Sequence, residues 1–340
     1  MNEKPYILIT MGDPAGIGPE ITVKALAHRK VSEICRPVVI GTVLVLEEAI
    51  AVTNLPVKVK PIRNLGEGTF RWGVINVLEV GHLDPQEFRI GKVGAASGKA
   101  SMEYVEKALE LVEKGEAHVM VNAPLNKQST RAAGYEDRGH LEFFSRKLGI
   151  ENCATMLVNE PLRVVHLSTN VSLKEACQEV TKKHVFDKLL LTHESFKQFG
   201  FEHPRIGVAG LNPHAGDGGL LGREEIEQII PAIEEARSAG IDVEGPFPTD
   251  SFFSQILEGQ REFDAVIAMY HDQGHLPVKL RRPERCVSVA LGFPFVRTTV
   301  EHGTAFDIAG KNMANAVSFE EAMKVGVALG TGKGLNRKRG

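Results

Sequence analysis

Short β-branched runs alternate with longer amphipathic stretches along most of the chain. YILIT at residues 6–10, RPVVIG, AHVMVNA, LRVVHLST, RIGVAGLN and DAVIAMY read as strands. Between several of them lie helical patterns such as ASMEYVEKALELVEKG and REEIEQIIPAIEEARSAG. In the first of these, Met102, Val105, Leu109 and Val112 recur at helical spacing, and Gly115 supplies the stop. The alternation predicts an α/β protein with a largely parallel sheet. No linker marks a domain boundary, so the chain is expected to cross between two lobes more than once.

In open α/β sheets, ligands bind beyond the carboxyl ends of the strands. The residues that follow each run are therefore the candidates for chemistry. Asn122 and Lys127 lie around PLNKQ, and His214 and Asp217 lie in PHAGDGG. His271, Asp272, His275 and Lys279 lie in HDQGHLPVKL, and Arg297, Glu301, His302 and Asp307 in the segment VRTTVEHGTAFDIAGKN. A single histidine after a strand is most often structural, but polar groups at four equivalent places point to an active site. The first strand is followed by MGDPAGIGPEI, which sets Gly12, Gly16 and Gly18 ahead of Pro19 and Glu20. Two readings stay open for it. One is a tight strand-to-helix turn; the other is a loop that brings a phosphate-bearing ligand to a helix N-terminus.

Composition removes several function classes. The 340 residues suit about two domains, and a net charge of −3 with no basic block argues against nucleic acid as partner. No stretch is long and apolar enough for a membrane span, and the N-terminus does not read as a signal peptide. Cys35, Cys153, Cys177 and Cys286 form no C-x-x-C, which predicts reduced thiols and a cytoplasmic location. The basic tail GTGKGLNRKRG reads as a frayed end.

The stretches MGDPAGIGPEI, NPHAGDGGLLGREE, GPFPTDSFF, MYHDQGHLPVKL and RTTVEHGTAFDIAGK together resemble the 4-hydroxythreonine-4-phosphate dehydrogenase family, PdxA. The resemblance runs from about residue 6 to residue 330. It implies a homodimer of two-lobed α/β/α subunits with mainly parallel sheets, like the isocitrate and isopropylmalate dehydrogenases, with residues of both subunits completing each active site. One lobe would comprise residues 1–125 plus about 300–340, with the glycine and NAD loops. The other, about 126–299, would carry metal and substrate residues and dimer contacts. The implied activity is NAD-dependent oxidation of a secondary alcohol on a phosphorylated four-carbon acid, followed by loss of carbon dioxide.

The resemblance also assigns residues. Gly12, Gly16 and Gly18 are similar to the glycine turn of the isopropylmalate dehydrogenases, and EHGTAFDIAGKNMANA to their NAD loop. Gly12, Gly16, Gly18, His302, Asp307 and Asn315 would then be cofactor-binding, with Asp307 on the ribose hydroxyls and Asn315 on adenine. An acid on the 2′-hydroxyl favours NAD over NADP. His214 and His271 fall on metal-ligand positions for a divalent ion (Zn, Mg, Mn or Co), with Asp250 close behind. His140, Lys279 and Arg297 fall on substrate-binding positions, and Lys279 and Asp250 are the candidate catalytic groups. A metal on the ketone oxygen would act as a Lewis acid in both oxidation and decarboxylation.

Three positions depart from the family pattern. Asn170 stands where a third metal histidine is expected, Leu141 replaces a substrate-binding threonine, and Ser288 replaces an asparagine near the phosphate. An amide oxygen at 170 would favour harder ions such as Mg²⁺ or Mn²⁺. His166 would lie roughly 13 Å from residue 170 on a strand, too far to replace it. LRVVHLST, VSLKEA and HDQGHLPVKL look like a second branch of the family, acting on D-threonate or D-erythronate 4-phosphate. The alternative is a non-catalytic relative that binds phosphorylated metabolites. A phosphate-transferring enzyme is a weaker reading, since no G-x-x-x-x-G-K-[ST] loop occurs.

Overall fold

The computed structural model describes residues 4–335 apart from 82 and 85, so the last five residues of the basic tail lie outside the described residues. The chain divides into two units: Met1–Glu151 with Pro294–Thr331, and Asn152–Phe293 with Gly332–Gly340. It passes from the first unit to the second and back. The first two changes come after residues 151 and 293, where the sequence places them near 125 and 299, and a third comes after residue 331. Residues 126–151 stay with the first unit because their helices pack into it. A Cβ on Gly98 of the helix Ala95–Glu113 would lie 2.0 Å from the Ser129 carbonyl of the helix Lys127–Ala132. Phe144 is fully buried edge-on to Phe295, with ring centroids 5.7 Å apart.

Six strands of the first unit are β1 (Tyr6–Thr10), β2 (Arg36–Gly41), β3 (Lys58–Ile62), β4 (Val74–Glu79), β5 (Val119–Asn122) and β12 (Val296–Val300). They run in the order β3-β4-β2-β1-β5-β12, and every pairing is parallel. The central strands are buried on both faces, which is why they read as continuous apolar runs instead of alternating ones. Register aligns Thr10 with Asn122, and Asn122 with Thr299, so three polar residues meet at the carboxyl ends.

The second unit holds β6 (Ala154–Asn159), β7 (Leu162–His166), β8 (Arg205–Ala209), β9 (Asp242–Phe247), β10 (Ala265–Ala268) and β11 (Val287–Leu291). Their order is β11-β6-β7-β10-β8-β9; β6 is antiparallel to both neighbours and the other pairings are parallel. Phe252, Phe253, Ile256 and Phe263 pack with Leu157, Val164, Val266 and Val278 in its core. The stretch REEIEQIIPAIEEARSAG forms a π-turn, Glu225–Ile229, that leads into the helix Ile230–Ser238. Pro231 lacks the N–H that an uninterrupted α-helix would use there. All six runs expected as strands are strands. The fold is α/β with a mainly parallel sheet, as the alternation predicts.

Candidate functional site

In the first unit the glycine turn is a close backbone crossing. Gly12 has φ +75°, and a Cβ there would lie 2.3 Å from the Pro124 carbonyl. On Gly16 it would lie 2.8 Å from the Thr304 Cβ, and on Gly18 2.2 Å from the Met11 carbonyl. Ile17 N–H donates to the Thr304 carbonyl (3.0 Å), which seats the turn on the segment carrying His302, Asp307 and Asn315. Buried Glu20 continues that attachment. Its Oε1 accepts from the Ala314 N–H (3.1 Å) and from Lys24 Nζ (3.0 Å), which also donates to the Ala314 carbonyl at 2.7 Å. Asp307 and Asn315 are exposed, and Asn315 Oδ1 accepts from the Val317 N–H (2.9 Å) at the start of the helix Val317–Gly330. The exposed His302 places Nε2 3.0 Å from Ser318 Oγ.

The first unit also brings His140 and Arg297 together. Arg297 is only 5% exposed on β12, and its Nε donates to Asn122 Oδ1 at 2.7 Å. Asn122 is held in turn, its Nδ2 donating to Thr10 Oγ1 (2.9 Å) and its carbonyl accepting from Thr299 Oγ1 (2.7 Å). No carboxylate lies within ion-pair distance of Arg297 among the described residues. Burial draws its guanidinium down to about 10, opposed by Glu301 and Glu142, so it stays charged at neutral pH. His140 opens the helix His140–Leu148, and its buried Nε2 has no hydrogen-bond partner. Burial first, and the Arg297 charge second, hold its imidazole well below the ordinary value. A buried cation beside an unsatisfied imidazole is an arrangement that could accept an anion. Leu141 is half-buried next to it and offers no hydrogen bond.

In the second unit the loops after β8, β9 and β10 are tied together by Gln273. Its Nε2 donates to the Gly210 carbonyl (2.7 Å) and to Thr249 Oγ1 (3.1 Å), while its Oε1 accepts from the Met269 N–H (2.6 Å). Asp250 is exposed beside Thr249, in the first turn of the helix Thr249–Leu257. His214 sits at the head of a left-handed backbone run, with φ of +55°, +54°, +81°, +44° and +64° from His214 to Gly218. Non-glycine residues resist that conformation. Glu225 supports it from the π-turn: its Oε1 accepts from the N–H groups of Leu211 (2.8 Å) and Asn212 (2.7 Å).

His271 opens the helix His271–Lys279, and Lys279 closes it half-buried. Asp272 Oδ1 stands 2.7 Å from His271 Nδ1, an arrangement that orients a metal-binding imidazole with its other nitrogen outward. His275 stacks on His271, with centroids 3.7 Å apart and planes 12° apart. His166, at the end of β7, places Nε2 3.0 Å from His275 Nδ1. Burial, then His275 and His271, push His166 down to about 3. Ser288 is buried on β11, and Asn170 is exposed in the loop beyond β7. Among the described residues no three His, Cys, Asp or Glu side chains form a metal-holding group. The donors present, two imidazoles and the Asn170 amide, do not fit a three-imidazole zinc site. By donor chemistry alone, an amide oxygen in place of one imidazole would suit a harder ion whose shell is completed by oxygen ligands.

Sequence reading missed Glu225 and Gln273, and it saw Asn122 without its role. A carboxylate inside an apolar helical pattern, EEIEQII, is the one local signal that Glu225 carried.

The family model described as pyridoxal phosphate biosynthetic protein PdxA matches residues 33–326. A provisionally named D-threonate 4-phosphate dehydrogenase from Halalkalibacterium halodurans is 42% identical, over 96% of this chain and 97% of the relative. The crystal structure of a 4-hydroxythreonine-4-phosphate dehydrogenase from Burkholderia phymatum aligns with TM-score 0.87 at 40% identity, covering 96% of this chain and 99% of that one. One from Klebsiella pneumoniae aligns with TM-score 0.89 at 36% identity, covering 97% and 100%. With its fold and most of its length matched, the chain belongs to the PdxA family.

Proposed function

We propose that this protein is an NAD-dependent dehydrogenase. It would oxidise, and then decarboxylate, a 4-phosphorylated four-carbon hydroxy acid. D-threonate or D-erythronate 4-phosphate is placed ahead of 4-phosphohydroxythreonine, because Leu141 removes a hydroxyl from the pocket and a relative named for D-threonate 4-phosphate is 42% identical. The observation that carries the reading is the buried Arg297 guanidinium beside the unsatisfied His140 Nε2. A planar cation held by Asn122 suits the two-point grip of a phosphate or carboxylate.

The chain's own groups then divide the work. Arg297 neutralises the anion, and His140, kept neutral by burial, adds a directional hydrogen bond. Asp307 takes the nucleotide ribose. Lys279 and Asp250 accept the hydroxyl proton and return one to carbon after carbon dioxide leaves. His214, His271 and the Asn170 oxygen would hold a divalent ion of the Mg²⁺ or Mn²⁺ type. When bound, NAD accepts the hydride, and the ion polarises the oxygen that gains negative charge.

A homodimer is part of the proposal, as the family resemblance implies. A cytoplasmic location agrees with four free cysteines. That no three His, Cys, Asp or Glu side chains among the described residues form a metal-holding group favours a second reading, a non-catalytic binder of phosphorylated metabolites. NADH absorbance with chelator-treated protein decides between them. The three phosphorylated acids are each offered with Mg²⁺, Mn²⁺, Zn²⁺ or no metal. Turnover of one acid with a hard metal supports the dehydrogenase; silence on all, with NAD and phosphorylated acid still bound, supports the binder.

A further inference from the structure

His166 does no work in the reaction as described, yet it is 3% exposed and lies at the carboxyl end of β7, level with Ala268 of β10. Its Nε2 meets His275 Nδ1 at 3.0 Å, and that same Nδ1 lies 3.0 Å from the His271 carbonyl oxygen. A carbonyl only accepts, so the proton belongs on His275 Nδ1, shared between that oxygen and a bare His166 Nε2. His275 is thereby gripped from the sheet below and from its own helix. Its ring face in turn covers the face of His271 at a centroid distance of 3.7 Å.

His271 needs such support. Its side chain is 47% exposed at the first turn of its helix, where its neighbours are the adjacent Asp272 carboxylate and the His275 ring. An exposed side chain held from one side retains rotamer freedom; one held at an edge and a face does not. The sequence around it is built to admit His166. A Cβ on Gly274 would lie 2.3 Å from His166 Nε2 and 2.8 Å from Val164 Cγ1, so only glycine lets the helix settle this close to β7.

We propose that His166 is a positioning residue that fixes the orientation of the His271 imidazole through His275. The inference rests on the reading of His271 as a site residue, and its first readout is independent of turnover. Histidine-selective ¹⁵N-labelled protein, with His271 identified by its loss in His271→Gln, reports the His271 ring directly. His166→Leu should shift and broaden the His271 ring signals and lower kcat about tenfold, with the KM for NAD unchanged. His166→Gln, whose amide reaches the same point, should restore both. Wild-type His271 signals in His166→Leu, or a Gln variant as impaired as the Leu variant, would overturn the proposal. If His166→Leu does not fold, His275→Phe keeps a ring on His271 and removes the Nδ1 anchor. Broadened His271 signals there support the proposal, and unchanged ones overturn it. Should the wild type turn over none of the acids, the dehydrogenase reading fails while the ring signals still decide the role of His166.

Discussion

Arg297 on β12 donates from Nε to Oδ1 of Asn122 on β5 across 2.7 Å, joining residues 175 positions apart in the chain. The contact aims a buried cation and satisfies a donor that burial would otherwise strand. Asn122→Ala should therefore raise the KM for the phosphorylated acid about tenfold and destabilise the fold by roughly 1–3 kcal/mol. Steady-state kinetics with urea denaturation tests this; an unchanged KM would show that the guanidinium needs no such aim.

Acid should destabilise the fold through its buried histidines. Unfolded, His140 titrates at its ordinary value of 6.5; folded, burial and Arg297 hold it well lower. Below 6.5 the unfolded chain gains a proton that the folded chain refuses, so stability present above that pH is lost as pH falls. One such group contributes a slope of up to about 1.4 kcal/mol per pH unit. His166 adds to it with the same sign, between 6.5 and about 3. Urea midpoints from about pH 7.5 to about pH 5.5 should fall, and less steeply in His140→Gln. A flat wild-type profile contradicts the argument.

The left-handed run from His214 to Gly218 stands because Glu225 takes two backbone N–H groups just ahead of it. Glu225→Ala would leave them unsatisfied, at a cost of about 1–3 kcal/mol, and release His214. Activity should fall by more than the stability loss explains at temperatures where the variant is folded. Retention of full kcat in folded Glu225→Ala would separate His214 from catalysis.

Lys24 bridges Glu20 and the carbonyl of Ala314, beside the segment assigned to the nucleotide. Lys24→Met removes that bridge and leaves the buried Glu20 carboxylate with the Ala314 N–H but without its cation. Isothermal titration should show NAD binding several-fold weaker, with binding of the phosphorylated acid unaltered. Equal weakening for both ligands would mean a general loss of structure.

Restoring an imidazole at position 170 tests the metal assignment. Asn170→His should raise Zn²⁺ or Co²⁺ affinity by about tenfold or more and move the preferred ion away from Mg²⁺. Equilibrium dialysis of metal against protein reads this without turnover. Unaltered affinities would remove residue 170 from the donor set.

Local pattern was enough for the α/β class, since β-branched runs and 3.6-residue periodicity are properties of neighbouring residues. It also located the loops that carry His214, His271 and Arg297, because strand ends follow from strand cores. Strands such as Lys58–Ile62 and Asp242–Phe247 were not legible, since prolines and charges interrupt their apolar pattern. The glycine turn left two readings open in sequence. Its glycines face the backbone of Pro124 and Met11 and the Thr304 residue, contacts no local pattern contains.

The sequence by itself determined the class of fold, the family and the chemical types gathered at the strand ends. Only the tertiary structure decided which of those groups are aimed, and by what. Asn122 meets Arg297 through parallel register, Gln273 joins three loops, and His166 reaches His275 across 109 positions. Periodicity records which face of an element is buried, whereas a hydrogen bond between distant elements depends on the register and packing that bring them within 3 Å.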